Sequence, residues 1–259
     1  MHEKTVDVPT ADGTMETFIT HPEAGGPFAP VILFMDVWGI REQLRDIARR
    51  IACVGYTVAL PNLYYRMGGE YFDYRNPDGT TTSLKDLPEA EQQKIQDYRT
   101  QLTDPMAVAD AGALMEFLAT DDAAKPGPAG SVGYCLGGRH VLRVAGAYPE
   151  TFVASASLHG TRLVTDAADS PHLDAPKVRG MYYSGFGEND HYTPPETIAA
   201  VEAAFAGQGA GQGCDYTQVI HPGAAHGYAI SDRDVYDQQA AYRDWAHIFA
   251  MYDRMLRGR

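Results

Sequence analysis

Cysteine is scarce in this chain: three residues in 259, at positions Cys53, Cys135 and Cys214. An odd number at wide spacing, without a Cys-x-x-Cys pair, excludes a disulfide-stapled secreted scaffold and offers no zinc-site pattern. Long apolar runs are absent too, and none approaches the ~18 residues needed to cross a bilayer. The opening Met1-His2-Glu3-Lys4 does not lead from a basic stretch into an apolar one, so no secretory leader is expected and the cytoplasm is the default location. Positive charge is in deficit. Against 21 Lys and Arg stand 34 Asp and Glu, a formal net charge of -13. Such a surface repels phosphate backbones, so nucleic acid is not an expected partner. It also argues against long-range steering of anionic substrates, while leaving room for a local positive pocket. Internal repeats, heptads and low-complexity tails are missing as well.

What is present is ordinary for a globular protein, with 44% hydrophobic and 21% charged residues. A chain of this length buries roughly three quarters of its unfolded surface and needs no staple, so residues 1–259 are expected to form one domain. Val6 and Val8, then Met15, Phe18 and Ile19, flank Ala11-Asp12-Gly13 and predict a hairpin. The continuous apolar run from Pro30 to Met35 suits a strand buried on both faces of a parallel sheet. Helical spacing follows over Arg41–Val54, closed by Gly55, and Tyr56–Leu60 predicts the next strand. Beyond a break, helices are expected over Pro105–Leu118, Gly137–Ala147, Pro195–Phe205 and Asp232–Leu256. Strands are expected over Gly130–Tyr134, Phe152–Leu158, Val178–Ser184 and Tyr216–Ile220. The alternation predicts an α/β fold with a mostly parallel central sheet, helices on both faces and an antiparallel N-terminal hairpin. The break, residues 64–103, is rich in tyrosine, Gly, Asp and Thr, with a short helix expected over Glu89–Leu102. It reads either as a cap over a site or as a surface loop with packed aromatics.

Gly133-Tyr134-Cys135-Leu136-Gly137-Gly138 sits between a predicted strand and a predicted helix. It matches the nucleophile elbow Gly-x-Ser-x-Gly with cysteine in the serine place. The sharp turn needs small residues where strand and helix crowd together, hence Gly133 and Gly137. The helix N-terminus favours a thiolate on Cys135, and the Leu136 amide lies where an oxyanion would form. The alternative is an inert buried cysteine. Cys53, near a helix end on an apolar face, and Cys214, at the start of a strand, read as packing residues.

An elbow nucleophile needs a base and a group to orient it, and in the α/β-hydrolase fold the chain order is nucleophile, acid, histidine. Asp190 lies in the polar turn Gly185–Asp190 after a strand, and His226 in the small-residue loop after the last one. Glu188 is a competing acid. His191 and His221 read as surface residues, His140 as a packing or surface residue, and His159 as either a pocket or a structural residue. Val37, in the loop after the Pro30–Met35 strand, is the natural second oxyanion donor. Asp36 beside it either shares a proton with the sulfur or caps the following helix.

The segments Phe34–Ile40, Pro61–Tyr64, Gly133–Gly138, Gly187–Asp190 and Ala225–Tyr228 together resemble the dienelactone hydrolases, or carboxymethylenebutenolidases, in matching order along most of the chain. The resemblance implies an α/β-hydrolase fold and a Cys–His–Asp triad working without metal or cofactor. It also implies a small-molecule ester or lactone as substrate, in a monomer or homodimer. It gives Asp36 the place of a glutamate that exchanges a proton with the cysteine, and makes Trp38, Tyr64, His159 and Tyr228 candidate pocket residues. Where the family carries a substrate-gripping arginine this chain has Ile230; Arg233 is nearby, at a position the motif does not equate with it. A less charged ester or lactone is therefore as open as dienelactone. The reading from another class is a non-catalytic or redox-sensing binding protein on the same fold.

Overall fold

The computed structural model describes residues 1–69, 71–206 and 213–257. The chain opens with β1 (His2–Thr10) and β2 (Gly13–His21), an antiparallel hairpin in which Val8 faces Met15 and both are fully buried. β2 also pairs antiparallel with β4 (Thr57–Pro61). From there the sheet is parallel, through β3 (Pro30–Phe34), β5 (Ala129–Tyr134), β6 (Phe152–Leu158), β7 (Gly180–Gly187) and β8 (Cys214–His221). Among the described residues this is one eight-stranded sheet, ordered β1-β2-β4-β3-β5-β6-β7-β8.

Every residue of β3, β4 and β5 is buried, because helices cover both faces of the sheet. α1 (Glu42–Ala52) and α6 (Gln238–Leu256) lie on one side, where the Arg50 guanidinium stacks 4.4 Å above the Trp245 ring. α3 (Asp104–Leu118) and α4 (Leu136–Ala147) lie on the other, tied by Arg139 donating to Asp104 at 2.6 and 2.7 Å. α5 (Pro195–Ala206) follows β7 and packs against a 3-10 segment, Pro171–Lys177, that the apolar spacing does not announce. Each fully buried Leu, Ile, Val or Phe on these faces contributes about 1.5–3 kcal/mol. No helix among the described residues is long and apolar enough to cross a membrane.

Two expectations need correction. The last helix starts at Gln238, not Asp232, because the Asp237 side chain accepts from the Gln239 and Ala240 amides and caps it there. Cys53 is exposed rather than packed; it ends α1 with its thiol on the Arg50 carbonyl.

The break in the pattern, residues 64–103, carries α2 (Glu89–Gln101). It is pinned by edge-on contacts among Tyr64, Phe72 and Tyr98 at 5.2–6.2 Å. It is therefore aromatic-packed, and its Leu84, Ile95 and Arg99 also wall the cavity that Cys135, the residue after β5, opens onto, near the strand ends where an open α/β sheet offers its crevice.

Candidate active site

β5 ends at Tyr134, and Cys135 turns the chain into α4 with φ 55° and ψ −115°. That left-handed backbone is costly for a residue with a side chain, and such strain gathers at functional sites. Its neighbours hold it in place. The Cys135 amide donates to the Leu158 carbonyl at 3.0 Å, and the Cys135 carbonyl accepts from Gly138 and Thr161 at 3.1 Å each. The two flanking glycines have no room for a side chain. A Cβ on Gly133 would lie 2.3 Å from the Gly137 carbonyl oxygen, and one on Gly137 2.4 Å from that of Phe34.

The sulfur and His226 line the same cavity, and the charge of Cys135 acts on the imidazole. His226 Nδ1 lies 2.8 Å from Asp190 Oδ2, whose carboxylate is fully buried. Asp190 Oδ1 accepts from the Tyr192 amide at 2.8 Å, which fixes the carboxylate. Asp190, not Glu188, is thus the acid on the histidine; Glu188 instead accepts from the Gly223 amide at 2.8 Å and braces the histidine loop. Burial would lower the His226 pKa. The negative charge of Cys135, the hydrogen bond to Asp190 and the charge of Asp190 outweigh it and push the imidazole up to about 10. His226→Gln is therefore expected to slow iodoacetamide alkylation of Cys135 at neutral pH by at least about tenfold. Peptide mass spectrometry reads that rate, and an unchanged rate would divorce the sulfur's reactivity from the imidazole.

Val37 and Leu136 line the same cavity as Cys135. Neither amide donates to a backbone carbonyl in the described turns, loops and caps, and the first amides of a helix have no partner within it. The Val37 carbonyl accepts from the Tyr64 hydroxyl at 2.9 Å. Tyr64, expected in the pocket, is instead fully buried behind this loop.

Asp36, given the proton-exchange role by the resemblance, is held by a buried ion pair. Arg41 donates to both of its carboxylate oxygens, at 2.8 and 3.0 Å, and the Trp38 amide adds a third bond at 3.0 Å. Nor does Asp36 cap α1, whose N-cap is Arg41.

A cavity of about 290 Å³ opens in front of Cys135 and His226. Trp38, His159 and Tyr192 line it, and residues 64–103 contribute Leu84, Ile95 and Arg99 to its wall. His159 is fully buried with both ring nitrogens unpartnered, its centroid 5.0 Å from that of His226. Burial, and then the positive charges of His226 and Arg233, hold its pKa well below 6.5, so the ring is neutral. His191 is exposed at the cavity rim and His140 is buried against Asp104 at 3.5 Å.

Besides Tyr64, sequence reasoning misplaced two residues, and it missed three. His221 is not on the surface but 1% exposed, its Nε2 2.7 Å from Asp244. Tyr228 lies outside the cavity with its hydroxyl on the same carboxylate at 2.8 Å, joined there by Tyr183 at 2.6 Å. Asp244 thus suspends both ends of the loop that carries His226. A carboxylate among Ala241, Trp245 and Ile248 on the apolar stripe of a predicted helix was the available signal, because a buried charge demands partners. Arg41 and Arg99 left no such trace. Arg99 and Arg233 both line the cavity, each with a buried Nε lacking a partner, and the Arg233 guanidinium lies 5.8 Å over the Trp38 ring. The nearest carboxylate oxygen to Arg233, on Asp234, stands 3.9 Å away.

The chain resembles known proteins over nearly its whole length. A sequence profile of the dienelactone hydrolase family matches residues 15–256. A protein of Methylorubrum extorquens named "Putative carboxymethylenebutenolidase" is 26% identical over 94% of this chain and 78% of its own length. One of the same name from Synechocystis sp. is 25% identical over 97% of this chain and 96% of its own. The solved structure titled as a "Putative Dienelactone Hydrolase" from Klebsiella pneumoniae superposes with a TM-score of 0.82 at 21% identity, covering 98% of both chains. The chain belongs to the dienelactone hydrolase family and is a hydrolase of the carboxylic-ester and lactone kind.

Proposed function

We propose that this enzyme opens an ester or lactone bearing a carboxylate, through a covalent acyl-enzyme on Cys135. The observation that carries the reading is an elbow cysteine that shares one cavity with a histidine held at 2.8 Å by a buried aspartate. In this scheme the Cys135 proton passes to His226, leaving a thiolate beside an imidazolium. The sulfur attacks the carbonyl carbon, and the Val37 and Leu136 amides hold the oxygen as it becomes anionic, each donor worth about 3 kcal/mol. As the tetrahedral intermediate collapses, the leaving alkoxide takes the His226 proton. The sulfur is then a neutral thioester, and the charge that did most to hold the imidazole protonated is gone. Neutral His226, oriented by Asp190, next removes a proton from water, whose oxygen attacks the thioester carbonyl. Collapse of this second intermediate releases the acid and restores thiolate and imidazolium.

Asp36 has no proton-transfer part here, since its carboxylate is committed to Arg41. The two cations facing the cavity, Arg99 and Arg233, support a substrate carboxylate as the distal group. The family's usual arginine position holds Ile230 in this chain, so these two are the cations left for that part. All the groups named come from one chain, so a monomer suffices for the chemistry.

A panel of lactones and aryl esters, with and without a carboxylate, assayed before and after iodoacetamide, tests the proposal. Hydrolysis should disappear on alkylation, and the carboxylate-bearing members should be preferred. Changing Arg99 and Arg233 together to methionine should raise KM for those members by about 10–100-fold, the loss of one or two charge-assisted hydrogen bonds. KM for neutral esters should move little. Equal effects on both classes would remove the carboxylate from the scheme, and a protein inert towards the whole panel would be a binding protein instead.

A further inference from the structure

We propose that Arg41 is a positioning residue that ties docking of segment 64–103 to the geometry of the oxyanion hole. Arg41 is 4% exposed and lies between two carboxylates. One edge of its guanidinium holds Asp36 as described, and the other holds Asp232, Nε at 2.8 Å and Nη2 at 3.1 Å. Asp232 in turn holds the roof. Its carboxylate accepts from the Thr81 hydroxyl at 3.0 Å and from Arg75 at 3.2 Å, and its carbonyl accepts from the Thr81 amide at 2.6 Å. One buried cation therefore joins the loop after β3, the loop after His226 and the segment over the cavity.

The loop after β3 is held from the same side at other points. The Phe72 amide donates to the Trp38 carbonyl at 2.8 Å, and the Tyr64 hydroxyl to the Val37 carbonyl. With the Trp38 amide on Asp36, the polar groups around Val37 are occupied by Arg41's partner or by the roof, and the Val37 amide has no hydrogen-bond partner among the described residues. Such a donor stabilises an oxyanion only while its peptide plane stays fixed, because misplacement by about 1 Å costs on the order of a hundredfold in rate. Without Asp232, Arg41 and Asp36 keep each other but lose their anchor to the roof.

The inference rests on Val37 serving as an oxyanion donor, and the test separates the two. Iodoacetamide alkylation of Cys135 proceeds by displacement at carbon and forms no oxyanion, so it reports the sulfur and His226 alone. In the full-length enzyme, Asp232→Asn should lower kcat on a neutral aryl ester by about 10–100-fold. KM and the alkylation rate should stay within about twofold of native. Thr81→Val, which removes one hydroxyl bond and spares the backbone pair, should move kcat the same way by a smaller factor, and Arg41→Lys should fall between them. These two variants carry the test if Asp232→Asn does not fold. Native kcat in all three overturns the proposal. So does an alkylation rate that falls in step with kcat, which would place the effect on the sulfur. Turnover retained by Cys135→Ala would overturn the nucleophile reading instead, leaving the latch to be judged on kcat.

Discussion

Cys135→Ala is expected to lower kcat/KM for a responsive ester by at least about 10⁴-fold while the protein stays folded. The size of the effect follows from the division of labour. A nucleophile removed from a triad of this kind takes most of the acceleration with it, and what survives, about 10³-fold over water, comes from oxyanion donors and substrate binding alone. Folding should be spared for three reasons. Cys135 is only half-buried. Alanine presents the same Cβ to the left-handed backbone at φ 55°. The backbone bonds to Leu158, Gly138 and Thr161 do not involve the sulfur. Assay and thermal unfolding of the purified variant together decide the matter. A variant retaining a tenth of native activity would mean that water is activated directly by His226, with the sulfur a bystander.

The second large effect is on stability. Gly137→Ala should cost more than about 3 kcal/mol, or roughly 6–12 °C in Tm for a chain of this size. Its new methyl would sit 2.4 Å from the Phe34 oxygen and 2.6 Å from the Met35 oxygen, both backbone atoms at the end of β3. Backbone cannot rotate out of the way as a flexible side chain can. Either α4 lifts off the sheet or the loop bearing Val37 shifts, and both routes also damage the site. Gly133→Ala should behave alike, since its methyl would meet the Gly137 oxygen at 2.3 Å. Calorimetry or chemical denaturation checks the prediction; a native Tm would mean that strand and helix are not wedged together as described.

The elbow was readable in the sequence because it is local. Two glycines around a cysteine, between an apolar run and an amphipathic stretch, state a steric requirement within a handful of residues. The hairpin at Asp12-Gly13 and the doubly buried strand Pro30–Phe34 are local in the same sense, since each depends on the period of its own side chains. Arg41 was invisible for the opposite reason. Its partner Asp232 is 191 positions away, and nothing in either neighbourhood distinguishes a buried guanidinium from one in water. His221 was misread because Pro222-Gly223 beside it suggests an exposed turn, whereas α6 brings Asp244 up against it. The start of α6 was placed too early because charged residues from Asp232 to Asp237 fit a helix by composition, yet Asp232 is claimed by Arg41 and Thr81.

β8 feeds two histidine–carboxylate couples with almost the same separation, 2.7 Å at His221 and 2.8 Å at His226. One is sealed beneath α6 and the other looks into vacant space. Distance alone would nominate either as a proton-moving device. What sets them apart is whether a guest molecule can come alongside, so in this fold catalytic competence belongs to the hollow as much as to the imidazole, and the sealed couple spends the same chemistry on scaffolding.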